Sequence, residues 1–198
     1  MFALVESGSI TSFPSGNKAI QIGDNKYPAA IYTLWTESER NAIGVYTVEI
    51  DKTNKKDEEY YINTDQSYAF GSGKVTATYD TATARPIADV LFTQEDEDNG
   101  LGTKDDVKVE GLKTIKKKMI DEQCASLLQS SDWRVIREQE TGDAMDSGWK
   151  TWRGNVRTKC NSMQTAIGKA ANVDALAALY VYNSDNPRTR PLGEFPIK

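Results

Sequence analysis

Apolar residues in the first 92 positions occur in short runs separated by turn-forming residues, a pattern typical of β-strands. The runs are rich in the β-branched and aromatic residues that suit a pleated sheet, and they include FALVE, KAIQI, VYTVEI, YYINT, SYAF and KVTATYD. Ser7 and Gly8 separate the first run from SITSFP, which predicts an opening β-hairpin. The pattern predicts a small antiparallel β-rich domain over residues 1–92.

One short helix is expected within this domain, between two of the strands. Thr36 is placed to cap its N-terminus, Glu39 stands three residues later as in a capping box, and Gly44 can end it. After Gly44 the chain is expected to return to a strand.

The segment of residues 93–106 reads TQEDEDNGLGTKDD, which is acidic and contains almost no apolar residue. This composition predicts a solvated acidic linker. The alternative is a short capped turn that precedes the next helix.

From Val107 onward the apolar residues recur with the period of a helix. The first helix is predicted over about Val107–Leu128, with Lys113 and Lys116–Lys118 mostly outside its apolar face. That face is expected to contain Leu112, Ile115, Met119, Cys124, Leu127 and Leu128.

Three further helices complete a predicted helical domain over residues 107–183. One begins with Asp132 as its cap and stops at Gly142, the next begins at about Ser147, and the last follows the cap Asn172. Residues 184–198 contain three prolines and are predicted to form an extended tail, either loose or pinned to a surface. The fold class expected for the whole chain is α+β.

Three of the four tryptophans and four arginines fall between Ser131 and Cys160. The third helix places apolar side chains at spacings of 3, 4, 4, 3 and 4 from Trp149 to Ile167, which is a continuous helical stripe. The predicted core therefore contains Trp133, Trp149, Trp152, Val156, Cys160 and Met163. The arginines flank this stripe, where their stems can cover it, and form a candidate rim for protein contacts: Arg134, Arg137, Arg153 and Arg157.

A nucleic-acid surface is the alternative for this span, because aromatic and arginine side chains together stack bases and neutralise phosphate. The charge is weak for that role. Residues 107–198 hold 15 Lys and Arg against 11 Asp and Glu, whereas residues 1–106 hold 9 against 18. Such a split suits two units that attract one another or a partner that faces one half, and no nucleic-acid partner is expected.

The composition, with 38% hydrophobic and 27% charged residues, is that of a soluble globular protein. No apolar run approaches the about 18–20 residues of a membrane-spanning helix, and MFALVESGSI lacks the basic segment of a secretion signal. We therefore expect synthesis in a cytoplasm and no membrane partner. Cys124 and Cys160 are expected to stay reduced within helix cores.

No catalytic, cofactor or metal site is predicted. Histidine is absent, which removes the commonest general base and the commonest metal ligand. Glu58 and Glu59 lie in a polar turn. FGSGKV lacks the first glycine and the Ser or Thr of a phosphate-binding loop, and EDEDNG lacks the closing glutamate of a calcium loop.

Two stretches carry a resemblance to a known family. The first is YPAAIYTLWTESERNAIGVYTV, and the second is SLLQSSDWRVIREQETGDAMDSGWKTWRGNVRTKC. A helix that ends in Leu-Leu before Asp132-Trp133, followed by Trp149-x-x-Trp152-Arg153-x-x-Val156-Arg157, resembles the tail-fibre assembly and tail assembly chaperone proteins of bacteriophages. Trp152 stands where that family more often has tyrosine, and the TGDAM turn replaces an expected proline-containing connection.

The resemblance implies a non-enzymatic phage tail protein, either a tail-fibre assembly factor or a fibre-associated adaptor. Its partners would be tail-fibre or other tail and virion proteins, met in the host cytoplasm during assembly and in the virion tail, and the tail symmetry would set any oligomeric state. The main alternative is a permanent structural component of the virion tail with no chaperone role. A host-glycan-binding tail module is a further alternative, supported only by the aromatic strands YYINTDQSYAF.

Overall fold

The computed structural model describes all 198 residues. Most strands lie in the first half of the chain, and the long helices lie in the second half. The fold is α+β, as predicted. Contacts within the chain define two units, Met1–Thr83 and Ala84–Lys198. The boundary falls earlier than position 92, because Val90 and Leu91 pair with residues 107–109, which belong to the second unit.

The first unit is built on a five-stranded sheet. The strands up to the boundary are β1 (Phe2–Glu6), β2 (Ser9–Ser12), β3 (Ile20–Ile22), β4 (Asn25–Tyr27), β5 (Val45–Asp51), β6 (Tyr61–Ile62), β7 (Gln66–Gly71), β8 (Lys74–Tyr79) and β9 (Thr83–Ala84). The strand order in the five-stranded sheet is β2-β1-β5-β8-β7. The predicted opening hairpin is confirmed: β1 and β2 pair antiparallel, and Ser7 and Gly8 take positive φ values of 51° and 79° between them.

The sheet is mixed, so the prediction of a wholly antiparallel unit is wrong. β5 and β8 run parallel, with Val48 opposite Val75. The reason lies in the connection after β5. Residues 52–65 lead to β7, the turn at Ser72 and Gly73 reverses the chain, and the returning strand β8 lies between β5 and β7. A parallel neighbour needs a connection of this length, whereas a hairpin does not.

The sheet curls until its two edge strands approach each other. Phe13, just after β2, contacts Tyr68 of β7 with the ring centroids 4.6 Å apart. Ala3, Val75 and Ala77 are completely buried on one face of the sheet. The other face packs against α1 (Ile31–Leu34) through Leu4, Ile31, Tyr32 and Val45.

The predicted capping box is confirmed at α2 (Glu37–Ala42). The Glu39 amide donates to the Thr36 hydroxyl at 3.3 Å, and the Thr36 amide donates to the Glu39 carboxylate at 2.8 Å. Gly44 follows the helix with φ of 82°, and a Cβ there would lie 2.5 Å from the Val5 carbonyl oxygen. Only glycine fits this position without strain, since an L side chain rarely adopts such a φ.

The second unit contains a short hairpin and five helices. Its elements are β10 (Val90–Leu91), α3 (Gln94–Asp98), β11 (Val107–Val109), α4 (Leu112–Gln129), α5 (Asp132–Thr141), α6 (Ser147–Lys169) and α7 (Val173–Ala178). None of the helices in the structure is long and apolar enough to cross a membrane.

The acidic segment 93–106 contains a capped helix, which was the alternative to a solvated linker. Thr93 and Asp96 form a capping box at the start of α3. The Lys108 ammonium of β11 lies 2.7 Å from the Asp96 carboxylate. This ion pair connects α3 to the hairpin of β10 and β11.

Acidification is expected to loosen this segment. The Lys108 hydrogen bond, followed by the bonds from Thr93, lowers the pKa of Asp96 to about 2. The ionised carboxylate therefore stabilises the hairpin fully above its ordinary pKa of 3.8, and this contribution disappears as the pH falls towards 2. In an NMR titration, the Thr93 amide should shift with a midpoint near 2, and Asp96→Asn should abolish that transition. A midpoint near 4 in the wild type would contradict the contact.

The bounds and the buried face of α4 differ from the prediction. Residues 107–109 form β11 and Gly111 caps the helix, so α4 begins at Leu112. The buried residues are spaced four apart, at Leu112, Lys116, Ile120 and Cys124, while Ile115 and Met119 are exposed. Lys116 is only 3% exposed, because its stem lies along the buried face and its ammonium stands 4.6 Å from the centroid of the Tyr180 ring.

Local cap chemistry explains the other helix ends. Gly142 ends α5 with φ of 76°, and Asn172 accepts a hydrogen bond from the Ala175 amide at the start of α7, both as predicted. Asp132 is the first residue of α5 and does not cap it; Ser131 precedes the helix without a side-chain cap. Asp146 caps α6 by accepting from the Gly148 and Trp149 amides.

Both cysteines are free and buried, at the predicted positions in helix cores. Burial, followed by the neighbouring Cys124 and Asp121, raises the pKa of the Cys160 thiol to about 12. Cys160 is therefore a packing residue with almost no nucleophilic thiolate at neutral pH.

Candidate functional site

The tryptophans and one arginine of the predicted span form a contact cluster at the surface of the helical unit. The Arg134 guanidinium carbon lies 4.5 Å from the Trp133 ring centroid and 4.6 Å from that of Trp149. Trp149 meets Trp152 edge to face at 5.5 Å, and the Lys198 ammonium lies 4.6 Å from the Trp149 centroid. We call these five residues the tryptophan–arginine cluster.

The secondary structure places these side chains together. Gly142 ends α5 in a left-handed conformation, and Asp146 caps α6 four residues later. This short turn brings the start of α6, with Trp149, next to the first turn of α5, with Arg134. Two helix ends therefore bring together the aromatic rings and Arg134, and the C-terminal segment adds Lys198.

Four of the six predicted core residues are buried as expected: Trp152, Val156, Cys160 and Met163. Trp149 is half-buried. Trp133 is 50% exposed, so its assignment to the core is wrong. The reason is that α5 has no buried residue at all and lies at the surface with its Trp133 and Ile136 side chains in solvent.

Arg153 does not belong to the predicted rim of arginines. It is 5% exposed and donates to the Leu128 carbonyl at 2.9 Å, the Ser131 hydroxyl at 2.5 Å and the Asp132 carboxylate at 2.7 Å. These bonds join α6 to the turn between α4 and α5. Its role is to position these helices, and a partner cannot reach it.

The other three predicted rim arginines reach the surface. Arg134 is half-buried between the two rings, Arg137 is exposed and pairs with Asp143 at 3.1 Å, and Arg157 is exposed on α6. The structure therefore brings Arg134 and Arg137 together with Trp133, and α6 carries Arg157 separately, two turns beyond Trp149.

Two grooves flank the cluster. One groove has a volume of about 210 Å³ and contains two arginines and two aspartates. Its lining residues are Trp133, Arg134, Arg137, Asp143, Ala144, Met145 and Asp146. Its charges balance, which disfavours a phosphate backbone as the ligand. A second groove of about 360 Å³ lies between the first turns of α6 and residues Pro196–Lys198.

The C-terminal segment contributes contacts that the sequence patterns did not identify. The Trp152 indole donates to the Pro196 carbonyl at 3.0 Å, and Lys198 covers Trp149. The segment is pinned, one of the two states expected for it, but it is not extended throughout, because the Gly193 amide donates to the Arg190 carbonyl at 2.8 Å and closes a turn. The only signal was the set of apolar residues next to its last two prolines, Leu192, Phe195 and Ile197.

Two other surfaces of the chain carry aromatic or apolar side chains. Of the aromatic strand residues, Tyr60 and Tyr61 are buried, whereas Tyr68 is partly exposed and contacts Phe13. The hairpin β10–β11 exposes four apolar side chains, Val90, Leu91, Val107 and Val109. Neither surface places a cationic side chain against exposed aromatic rings, as the tryptophan–arginine cluster does with Arg134.

Known proteins give no independent indication of what binds at this surface. The chain matches no protein-family model, no curated protein and no solved structure.

Proposed function

We propose that this chain is a non-enzymatic bacteriophage tail protein that binds tail-fibre or neighbouring tail subunits through the tryptophan–arginine cluster. One observation carries the proposal: a half-exposed stack in which the Arg134 cation lies against the rings of Trp133 and Trp149. Tryptophan and arginine are the residue types most enriched at the energetic centres of protein interfaces.

The stack has the energetics of a contact site. A tryptophan buries about 150–250 Å² when fully covered, so covering the exposed half of Trp133 would stabilise a complex by roughly 2–3 kcal/mol. Arg134 is already held between two rings and loses little side-chain entropy on binding. The ion pair of Arg137 with Asp143 at the edge adds selectivity more than affinity.

The nature of the partner rests on the resemblance of two stretches to phage tail-fibre assembly proteins. The first stretch forms α1, α2 and the start of β5, and the second forms the end of α4, α5 and most of α6. Each stretch thus covers secondary-structure elements that follow one another directly in the chain. The second contains four of the five residues of the cluster, which supports a role for this surface in the function that the resemblance implies.

The variant Trp133→Ala is expected to lose partner binding while keeping its stability. Tagged protein recovered from infected cells should carry tail-fibre proteins, and the variant should recover at least about tenfold less of them. Leu34→Ala is the matched control, since it removes another exposed apolar side chain from the first unit. Equal recovery by Trp133→Ala and wild type, with unchanged melting, would refute this surface as the binding site.

Mass spectrometry of purified particles distinguishes the remaining roles. An assembly factor that leaves is absent from the virion, whereas a fibre-associated adaptor or permanent tail component is present in stoichiometric amount. The glycan-binding alternative loses support from the burial of Tyr60 and Tyr61, which are unavailable to stack on a sugar ring. Binding of the purified protein to a glycan array would support the glycan-binding alternative.

A further inference from the structure

Arg134 is a cation without an anionic partner in the chain. Its guanidinium carbon lies 4.5 Å from the Trp133 ring centroid and 4.6 Å from that of Trp149. Its side chain forms no ion pair and no hydrogen bond within the chain, and its Nε is buried without an acceptor. The two terminal nitrogens are not buried, so a partner can reach them. The aromatic contacts therefore hold the charge in place but leave its N–H groups without an acceptor.

The two carboxylates in the groove beside Arg134 already have partners. Asp143 pairs with Arg137 at 3.1 Å, and the hydrogen bond from this guanidinium lowers the pKa of the Asp143 carboxyl. Asp146 accepts hydrogen bonds from two backbone amides at the start of α6. Neither carboxylate forms an ion pair with Arg134. Arg134 thus carries the one charge in the groove that no group of the chain compensates.

A second cation adds to the positive charge of the cluster. The Lys198 ammonium lies 4.6 Å from the Trp149 centroid, the same distance as the Arg134 guanidinium carbon. The five side chains of the cluster therefore carry two positive charges and no negative one. Both cations lie close enough to the Trp149 ring that one anion placed there interacts with both.

Covering the cluster with a partner removes water from Arg134 as well as from Trp133, since the guanidinium lies against that ring. A desolvated cation whose N–H groups lack an acceptor makes a complex less stable. A carboxylate prevents this loss, because it accepts from both terminal nitrogens at once and neutralises the charge. A neutral carbonyl accepts a hydrogen bond but leaves the charge uncompensated. The cluster therefore favours a partner that brings an acidic side chain.

We propose that the tryptophan–arginine cluster recognises an Asp or Glu side chain of a protein partner, whose carboxylate binds the terminal nitrogens of Arg134 while neighbouring apolar residues cover Trp133. The groove of about 210 Å³ is smaller than the about 300–1,000 Å³ of small-molecule sites, which suits a single side chain. Its two aspartates would repel the successive charges of a phosphate backbone. The use of this surface, and the partner as a tail protein, rest on the proposed function above.

The test uses the purified full chain and two blocked peptides, acetyl-Leu-Glu-Leu-amide and its neutral twin acetyl-Leu-Gln-Leu-amide. NMR titrations follow the indole N–H signals of Trp133 and Trp149, with Trp35 of the first unit as the internal control. The glutamate peptide is expected to shift both cluster signals at millimolar concentration and to leave Trp35 unchanged. The glutamine twin should bind at least about fivefold more weakly, because hydrogen bonds between charged groups are the stronger ones.

Equal affinities for the two peptides, or no movement of the cluster signals with either, would overturn the proposal. A larger shift with inorganic phosphate than with the glutamate peptide would also overturn it, because the site would then select phosphate. These comparisons use the wild-type chain alone and do not depend on the folding of any variant.

Variants of Arg134 show whether the carboxylate binds at this residue. Arg134→Gln removes the cation and is expected to bind both peptides weakly and equally. Arg134→Lys keeps the charge but not the planar fork, so it should retain only part of the preference for glutamate. Arg157→Gln is the matched control, since it removes an exposed arginine of α6 outside the cluster and should keep the whole preference. A full preference in folded Arg134→Gln would mean that the carboxylate binds elsewhere, against the proposal.

The peptide titrations and the recovery from infected cells can fail separately. If Trp133→Ala loses tail proteins but the two peptides bind wild type equally, the surface stands and the acidic side chain is refuted. If wild type prefers the glutamate peptide but recovers no tail protein, the carboxylate site stands and the identity of the partner is refuted.

Discussion

Replacement of Arg153 by methionine is expected to lower the free energy of unfolding of the helical unit by about 2–4 kcal/mol. The guanidinium is 5% exposed and satisfies the Leu128 carbonyl at the C-terminal end of α4 and the hydroxyl of Ser131, which is fully buried. Methionine fills a similar volume but leaves both acceptors without this donor. The remaining partner, Asp132, is more than half exposed, so water compensates for its part of the loss.

Urea denaturation followed by helical circular dichroism measures this effect. Arg157→Met is the matched control, because Arg157 lies one turn further along α6 and is exposed. That control should change the free energy of unfolding by less than about 0.5 kcal/mol. If the two variants unfold at the same urea concentration, the hydrogen bonds of Arg153 do not stabilise the junction of α4, α5 and α6.

The arginine and lysine positions show where a sequence pattern is insufficient. A periodic pattern assigns every charged residue to the outside of a helix. Arg153 and Lys116 are buried because partners elsewhere in the chain receive their charged ends, namely the Leu128–Asp132 turn and the Tyr180 ring. Those partners lie more than 20 residues away for both side chains, and the helical period carries no information about them.

Other features were predictable because they depend on neighbours within a few residues. The capping box of Thr36, the turn at Ser7 and Gly8, and the end of α5 at Gly142 follow from local backbone chemistry. The stripe on α6 correctly gave its buried apolar residues from Trp152 to Ile167, since a long helix against a core must repeat its apolar side chains at this spacing. The parallel pairing of β5 with β8 depends on the path of a distant connection and was not predictable.

The cluster itself was predicted only in part. The sequence indicated that the tryptophans and arginines belong to one span, but it assigned Trp133 to the core and Arg153 to the surface, the reverse of the structure. Trp133 was assigned to the core together with the other tryptophans, although it lies outside the stripe on α6. The helix α5 is short and joined to its neighbours through Asp132 and Arg153, so its apolar side chains remain at the surface.

Trp152→Ala is expected to be the most destabilising aromatic substitution in the helical unit, at about 3–5 kcal/mol. The ring is 8% exposed and packs edge to face against Trp149, and its indole donates to Pro196. Alanine would leave a cavity and release the end of the C-terminal segment from α6. Trp149→Ala should cost about half as much, since that ring is half-buried and solvent already covers part of it.

Thermal and urea unfolding of the two variants give the comparison, with Trp152→Phe as the matched control. Phenylalanine keeps most of the packing and removes the hydrogen bond to Pro196, so it should cost only about 1–2 kcal/mol. This ordering, Trp152→Ala above Trp149→Ala and Trp152→Phe, follows from burial and not from the helical period, which treats the two tryptophans alike. Equal losses for both alanine variants would show that the two rings are buried to the same extent, and near-wild-type stability of Trp152→Ala would remove Trp152 from the core.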